Sequence, residues 1–147
     1  MSGSGPIASA DAAIRAMWDA RWDGPSDVPV RWDANSHEPI PSAATVSHWL
    51  HNIIEFSGER TVAFGGGRGA NERELTGRVL ITVFAKRGHG EATLRGLLDD
   101  ALDVFRSQRS DGLTFVGEWG FPDGAPSDDG IWWYRQALAA FVYRFQG

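Results

Sequence analysis

The chain has 147 residues and a formal net charge of -5, with 42% hydrophobic and 12% aromatic residues. This length and apolar content fit one folded domain and exclude a disordered chain. The acidic balance argues against a dedicated nucleic-acid-binding protein, which needs a basic face, and the lack of cysteine excludes disulfides and zinc–sulfur sites.

The sequence contains no membrane or secretion signal of a known type. It has no run of about 18 apolar residues, so we expect no membrane span. The opening residues MSGSGPIASA lack the basic and apolar regions of a secretory signal. We expect residues 1–8 to form a flexible tail and residues 9–147 to form a single domain.

The first half of the chain predicts one helix and two strands. The helix begins at Ser9, a favourable N-cap, and stops before Gly24 and Pro25. A short strand follows at 30–32, and then a loop that contains two prolines. The β-branched and aromatic segment 46–57 predicts a second strand. Its more apolar face, which we point inward, carries Leu50, Asn52, Ile54 and Phe56.

The second half predicts three strands and one helix. The apolar segment 75–86 predicts a central strand, because both of its faces are apolar. Segment 91–108 predicts a helix with a broad apolar stripe, and segment 113–121 predicts a strand. Segment 131–145 is ambiguous, since its centre RQALAAF has high helix propensity while its ends are aromatic and β-branched. We favour a long strand there.

This order of elements predicts an α+β fold. Strands that follow each other with short connections usually pair antiparallel. We therefore expect a mainly antiparallel sheet of about four to five strands, with two helices packed on one face.

A glycine-rich segment, AFGGGRGAN, precedes the central strand. The residues Gly65, Gly67 and Ala70 have the spacing of a dinucleotide-binding loop, but a helix must follow that loop and here a strand follows. The Gly-Lys-Ser/Thr ending of an NTPase phosphate loop is also missing. Two interpretations remain: a flexible connection, or a protruding arm that contacts another protein. The arm would use Phe64, Arg68 and Arg73.

No group of residues in the sequence points to catalysis, a cofactor or a metal. On a strand, His48 and His51 point to opposite faces and cannot bind one ion. The acids Asp123, Asp128 and Asp129 lack the spacing of a calcium loop, so a solvated turn is favoured over a weak calcium site. We predict that the protein is not an enzyme, with a small hydrolase or nucleotide-binding protein as a disfavoured alternative.

The adjacent residues Trp132 and Trp133 point to opposite sides of the predicted last strand. If one tryptophan lies in the core, the other lies on the outer face of the sheet. An outer aromatic side chain is either covered by a loop or contacts a partner. We therefore take Trp132 as a candidate interface residue.

The pattern as a whole resembles the tail terminator proteins of long-tailed bacteriophages and gene transfer agents. The similar segments are AIRAMWDARW, VPVRWD, GRVLITVFAKRGHGEATLRGLLDDALDVF and WWYRQALAAFVYRFQ, within residues 10–145. Segments 33–60 and 122–130 match least, so the resemblance assigns no role to them.

The resemblance implies a structural virion protein, made in the bacterial cytoplasm, that sits at the head–tail interface. Such proteins form a ring, usually a hexamer, that caps the tail tube and ends its polymerisation. The implied partners are further copies of the chain, the major tail tube protein and the head–tail connector or adaptor, with DNA passing through the ring lumen. The alternatives are a head-closure or adaptor protein and an unrelated cellular interaction module.

Overall fold

The computed structural model of the protein describes residues 5–32, 40–63 and 71–147. These residues form helices α1 (Pro6–Arg21) and α2 (Glu91–Phe105) and a seven-stranded sheet. The strands are β1 (Val30–Trp32), β2 (His48–Ala63), β3 (Glu72–Lys86), β4 (Arg109–Ser110), β5 (Leu113–Gly120), β6 (Ala125–Pro126) and β7 (Trp132–Gln146).

The predicted α+β class is confirmed, but the sheet is larger than expected and is mixed. Its strand order is β1-β2-β3-β7-β5-β4, with β6 paired to β7 beside β5. The pair β1–β2 is parallel and the other pairs are antiparallel. Residues 33–47 separate β1 from β2, which is enough chain for the crossover that a parallel pair needs. The strands β4 and β6 have two residues each, too few to leave a periodic signal in the sequence.

The expected central strand is confirmed, because β3 lies between β2 and β7 and pairs with β7 along its whole length. The last segment is a strand throughout, as favoured from its ends, despite the helix propensity of its centre. Tertiary context overrides propensity here: Ala137, Ala139 and Phe141 alternate into the core between helix α2 and the neighbouring strands.

Both helices differ from the predicted ranges at one end. Helix α1 begins at Pro6 instead of Ser9, because Pro6 occupies the first helical position, where its missing N–H costs nothing. Helix α2 ends at Phe105 instead of Gln108, and Ser107 adopts a left-handed conformation with φ 56° that turns the chain towards β4.

The two faces of the sheet differ in what covers them. Both described helices pack on one face, called here the helix face. It carries the side chains of β2 that the sequence predicted to point inward, together with the odd-numbered residues of β3 and β7. Its core cluster includes Leu50, Val79, Ile81, Val83, Ala137, Ala139 and Phe141. The opposite face, called the open face, carries the other side chains of these strands.

A glycine in the middle of β3 allows two phenylalanine rings to meet on the helix face. Gly77 is opposite both Phe56 of β2 and Phe141 of β7. The two rings form an edge-to-face pair with centroids 5.8 Å apart. A methyl group on Gly77 would lie 2.6 Å from Cζ of Phe141 and would also overlap the Glu55 carbonyl oxygen. The packing therefore requires glycine at this position.

Replacement Gly77→Ala should lower the free energy of unfolding by about 1–3 kcal/mol, the usual cost of overpacking a core. Urea unfolding measures this change. The matched control is Gly96→Ala on α2, where an added methyl group meets nothing within 4 Å and where alanine favours the helix. A loss of stability no greater than that of the control would contradict the proposed close approach.

A buried amide on the helix face has no hydrogen-bond partner among the described residues. Asn52 has no exposed surface, and neither its Oδ1 nor its Nδ2 atom is bonded within the described residues. It lies opposite Trp32 of β1 and Ile81 of β3, so apolar side chains surround it. An unsatisfied buried polar group costs about 1–3 kcal/mol.

Replacement Asn52→Leu should therefore raise the free energy of unfolding, by an amount within that range of about 1–3 kcal/mol. The control is Thr82→Val, because the Thr82 hydroxyl accepts a hydrogen bond from Gln136 at 3.2 Å and its removal should destabilise the protein. Denaturant titration of both variants measures whether the free energy of unfolding rises for Asn52→Leu and falls for Thr82→Val. A destabilised Asn52→Leu protein would show that Asn52 has a bonding partner.

Candidate functional site

The predicted arm falls mostly outside the described residues. Phe64 and Arg68 are among residues 64–70, which the structure does not describe, so their assignment to an interface stays a prediction. Arg73 is described and lies near the start of β3, beside the end of β2. Its guanidinium donates to Oε1 of Glu59 at 3.2 Å and to Oγ1 of Thr61 at 2.7 Å. Arg73 therefore joins β2 and β3, the two strands on either side of the predicted arm.

The tryptophan pair of β7 points to opposite faces, as predicted. Trp133 packs partly against the core on the helix face. Trp132 lies on the open face but is only 2% exposed, with its ring edge-on to Trp49 at 6.1 Å. Its surface is covered within the chain, and its role at an interface stays a prediction.

Four cross-strand ion pairs occupy the open face near the end of β2 and the start of β3, and one of them joins Arg144 to Glu72 at 3.5 Å. Arg78 donates to Glu55 at 2.8 Å, and Glu74 accepts from both Arg60 at 3.1 Å and Arg144 at 3.5 Å. The Glu74 side chain is only 7% exposed, because the two arginine side chains flank it. Since exposed ion pairs contribute little stability, we interpret these pairs as fixing the strand register.

Further along the open face, large apolar side chains form a row across four strands. Ile53 of β2 is opposite Leu80 of β3, Leu80 is opposite Leu138 of β7, and Leu138 is opposite Trp119 of β5. This apolar row runs from one side of the sheet to the other, and Trp119 at its end is 49% exposed. Its members are far apart in sequence, so only the strand register reveals it.

An aromatic cluster lies next to the apolar row on the open face. Trp49 and Phe84 stack with centroids 4.2 Å apart, and Phe84 contacts Tyr134 at 5.5 Å. The Arg31 guanidinium lies over the Trp49 ring at 5.7 Å. The open face thus divides into an apolar, aromatic half and a charged half that carries the ion pairs.

A cavity of about 250 Å³ lies at the start of α2, and its carboxylate, Glu91, is hydrogen-bonded within the fold. Glu91 accepts hydrogen bonds from Arg135 at 2.8 Å and from the Trp133 indole at 3.1 Å. These bonds lower the pKa of Glu91 below its usual value. A carboxylate held ionised in this way ties α2 to β7 and is a poor proton donor.

The structure brings together two histidines that the sequence did not connect. His48 and His51 lie on opposite faces, as predicted, but the His48 ring meets the His89 ring edge-on at 6.4 Å. Nδ1 of His48 bonds to the Ser47 hydroxyl at 3.0 Å. Burial lowers the pKa of His48, and His89 lowers it further, whereas Asp27 opposes the shift. The sequence around His89 predicts only a turn and does not indicate this contact with His48.

The acidic loop is built as a hydrogen-bonded turn. Asp129 accepts hydrogen bonds from the Ser127 hydroxyl at 2.6 Å and from the Ile131 amide at 3.0 Å, which lower the pKa of Asp129. Within residues 5–32, 40–63 and 71–147, no three histidines or carboxylates are placed to hold a metal ion. Neither described helix is long and apolar enough to cross a membrane.

No family model and no curated protein matches the chain. It is similar to a solved structure that bears no functional description, with a TM-score of 0.60 and 17% identity over 93% of this chain and 97% of the other. It is also similar to a chain from the virion of a native gene transfer agent particle, with a TM-score of 0.40 and 16% identity over 95% and 88% of the two chains. The first likeness supports the fold alone, and we base no argument on the second.

The buried His48 predicts an acid-sensitive fold. Histidine titrates near pH 6.5 in the unfolded chain and at a lower pH in the folded chain, so below about pH 6.5 the unfolded state binds more protons. Stability is therefore greatest above that value and falls as the pH drops towards the folded pKa. Thermal unfolding between neutral and mildly acidic pH measures this loss.

Replacement His48→Phe should remove most of the pH dependence in this range, because the aromatic ring is kept and the titrating group is lost. His51→Phe, on the opposite face, is the control and should keep the dependence. If both variants lose stability with acid as the parent does, His48 is not the responsible group.

Proposed function

We propose that the protein is a structural, non-catalytic component of a tailed virion that forms a ring at the end of the tail tube. The observation that carries the proposal is the one-sided sheet. Both described helices cover the helix face, and the open face carries the apolar row, in which Leu138 is buried and Trp119 at the end is 49% exposed. Trp119 lies close in sequence to the exposed Val116 and Phe121, and grouped exposed apolar side chains are typical of protein–protein contacts.

The resemblance of the sequence to tail terminator proteins supports the same proposal. It extends over residues 10–145, and the helix–strand order on which it rests is present in the structure. Nδ1 of His48, the Asp129 carboxylate and the Glu91 carboxylate each form hydrogen bonds within the fold. The proposed partners are further copies of the chain, the tail tube protein and the head–tail connector.

Addition of the purified chain to polymerising tail tube protein should stop tube growth and leave one ring at the tube end. Negative-stain electron microscopy measures both tube length and end structure. Unchanged tube lengths with bare ends would contradict the proposal. Rings that bind the connector but leave tube growth unaffected would favour a head-closure or adaptor protein.

Deletion of Gly65–Gly69 tests the predicted arm separately. The shortened chain should keep the thermal unfolding transition of the parent, because Arg73, Glu59 and Thr61 join β2 and β3 without it. We expect it to cap tubes less completely in the same assay. Normal capping by the folded deletion variant would show that residues 65–69 are only a connection.

A further inference from the structure

Exposed apolar side chains are concentrated at one edge of the sheet. The described residues include six large apolar side chains that are well exposed, and three of them lie in the short segment 116–121. Val116 is 62% exposed, Trp119 49% and Phe121 41%. The segment forms most of β5 and the residue that follows it.

This edge is open for main-chain pairing. The two-residue strand β4 pairs only with Leu113 and Thr114, and Phe115 donates its amide to Gln108. Beyond that point, no strand among the described residues pairs with the outer side of β5. Natural edge strands are usually protected by lysine, proline, other charges or a β-bulge. Residues 116–120 read VGEWG, with one charge at Glu118 and a bulge between Phe115 and Gly117, but with neither lysine nor proline.

The two glycines of this segment are not required by the packing of the chain. A methyl group on Gly120 would meet nothing within 4 Å, and one on Gly117 would meet only the Trp119 ring at 4.0 Å. Glycine weakens a strand, and inside a strand it often marks a place where another backbone approaches closely. Contacts within the chain therefore do not account for either glycine.

A second open edge lies on the other side of the sheet. β1 pairs with Leu50, His51 and Asn52 only, so among the described residues the outer side of β2 from residue 53 to residue 63 has no strand partner. This edge also contains a glycine that the packing does not demand. A methyl group on Gly58 would make an ordinary 3.7 Å contact with the Thr76 hydroxyl.

We propose that the β5 edge of one copy pairs with the β2 edge of the next copy, joining the sheets around the ring. This inference rests on the proposed ring. A contact between two different surfaces of the same chain is heterologous, and repeated heterologous contacts form a ring when the rotation between copies closes and an open filament when it does not. Further copies of the chain can cover both open edges, since each copy offers a β2 edge to one neighbour and a β5 edge to the other. A single foreign strand would cover one edge only.

The size of the contact predicts how the ring assembles. The five residues of β5 that are open span about 17 Å at the usual rise per residue. A strand pair of this length buries less surface than the roughly 800 Å² per partner that a stable interface usually buries. Two copies should therefore associate weakly, while a closed ring, in which every copy uses both edges, should be stable. We expect monomers and closed rings with few intermediates.

Paired cysteines test the contact, and the chain offers a clean background because it contains no cysteine. We would introduce Val116→Cys, Glu118→Cys or Gly120→Cys on β5 and Glu55→Cys, Ser57→Cys or Glu59→Cys on β2, singly and in pairs, and oxidise the concentrated protein. Chains with one cysteine on each edge should give a ladder of cross-linked oligomers on a denaturing gel. Single-cysteine chains should stay largely uncross-linked.

Other patterns would overturn the inference. Dimers from single-cysteine chains would show that like edges pair with each other. No ladder from any pair, even at the highest soluble concentration, would show that the edges do not meet. Cross-links that form only with added tube protein would assign the edge to that partner.

Two substitutions test the same edge without cross-linking. Trp119→Lys adds an edge charge and Gly120→Pro removes a main-chain N–H donor from the edge, so both should abolish rings while leaving the thermal unfolding transition in place. The control Ile7→Lys replaces a 55% exposed apolar residue on α1 and should leave rings intact.

These variants also separate the inference from the proposed function. If Trp119→Lys and Gly120→Pro form normal rings that cap tubes, the edge pairing is wrong and the virion role stands. If the paired-cysteine chains form cross-linked ladders but the parent chain neither binds nor caps tubes, the edge pairing stands and the tail role is wrong.

Discussion

The structure depends on the close approach of Phe56 and Phe141 over Gly77 in the central strand. From Phe141 a series of ring contacts continues through the core and joins β2, β7, β5, α2 and α1. Its members, in order, are Phe56, Phe141, Phe115, Phe105 and Trp18. Aromatic pairs have preferred geometries, so this series fixes how the helices sit on the sheet and which face they cover.

Because both helices are held on that face, no described helix covers the open face and the two edges of the sheet. The open face has an apolar half around Leu80 and Leu138 and a charged half around Glu74. The edges beside it are unequal, since the β5 edge carries Trp119 while the β2 edge ends in paired charges such as Glu59–Arg73. The molecule is therefore asymmetric in the way that a head-to-tail assembly requires.

The parts of the fold that the sequence predicted are those set by local patterns. Alternation placed Leu50 and Phe141 on the helix face, and the apolar run of β3 placed it in the centre. The apolar row and the contact of His48 with His89 depend on register between distant segments, which no local pattern contains. The burial of Trp132 has the same origin. Of the four residues proposed for contacts with a partner, Arg73 bonds across β3 and β2 to Glu59 and Thr61.

The position of β7 in the sheet has a consequence for the synthesis of the protein. The last strand of the chain, Trp132–Gln146, forms one whole flank of β3. While the ribosome is still translating, β2 and β3 can form a hairpin, but the other flank of β3 has no partner until residues 132–146 emerge. We therefore expect the nascent chain to expose an apolar strand until that point and to need protection by chaperones in that interval.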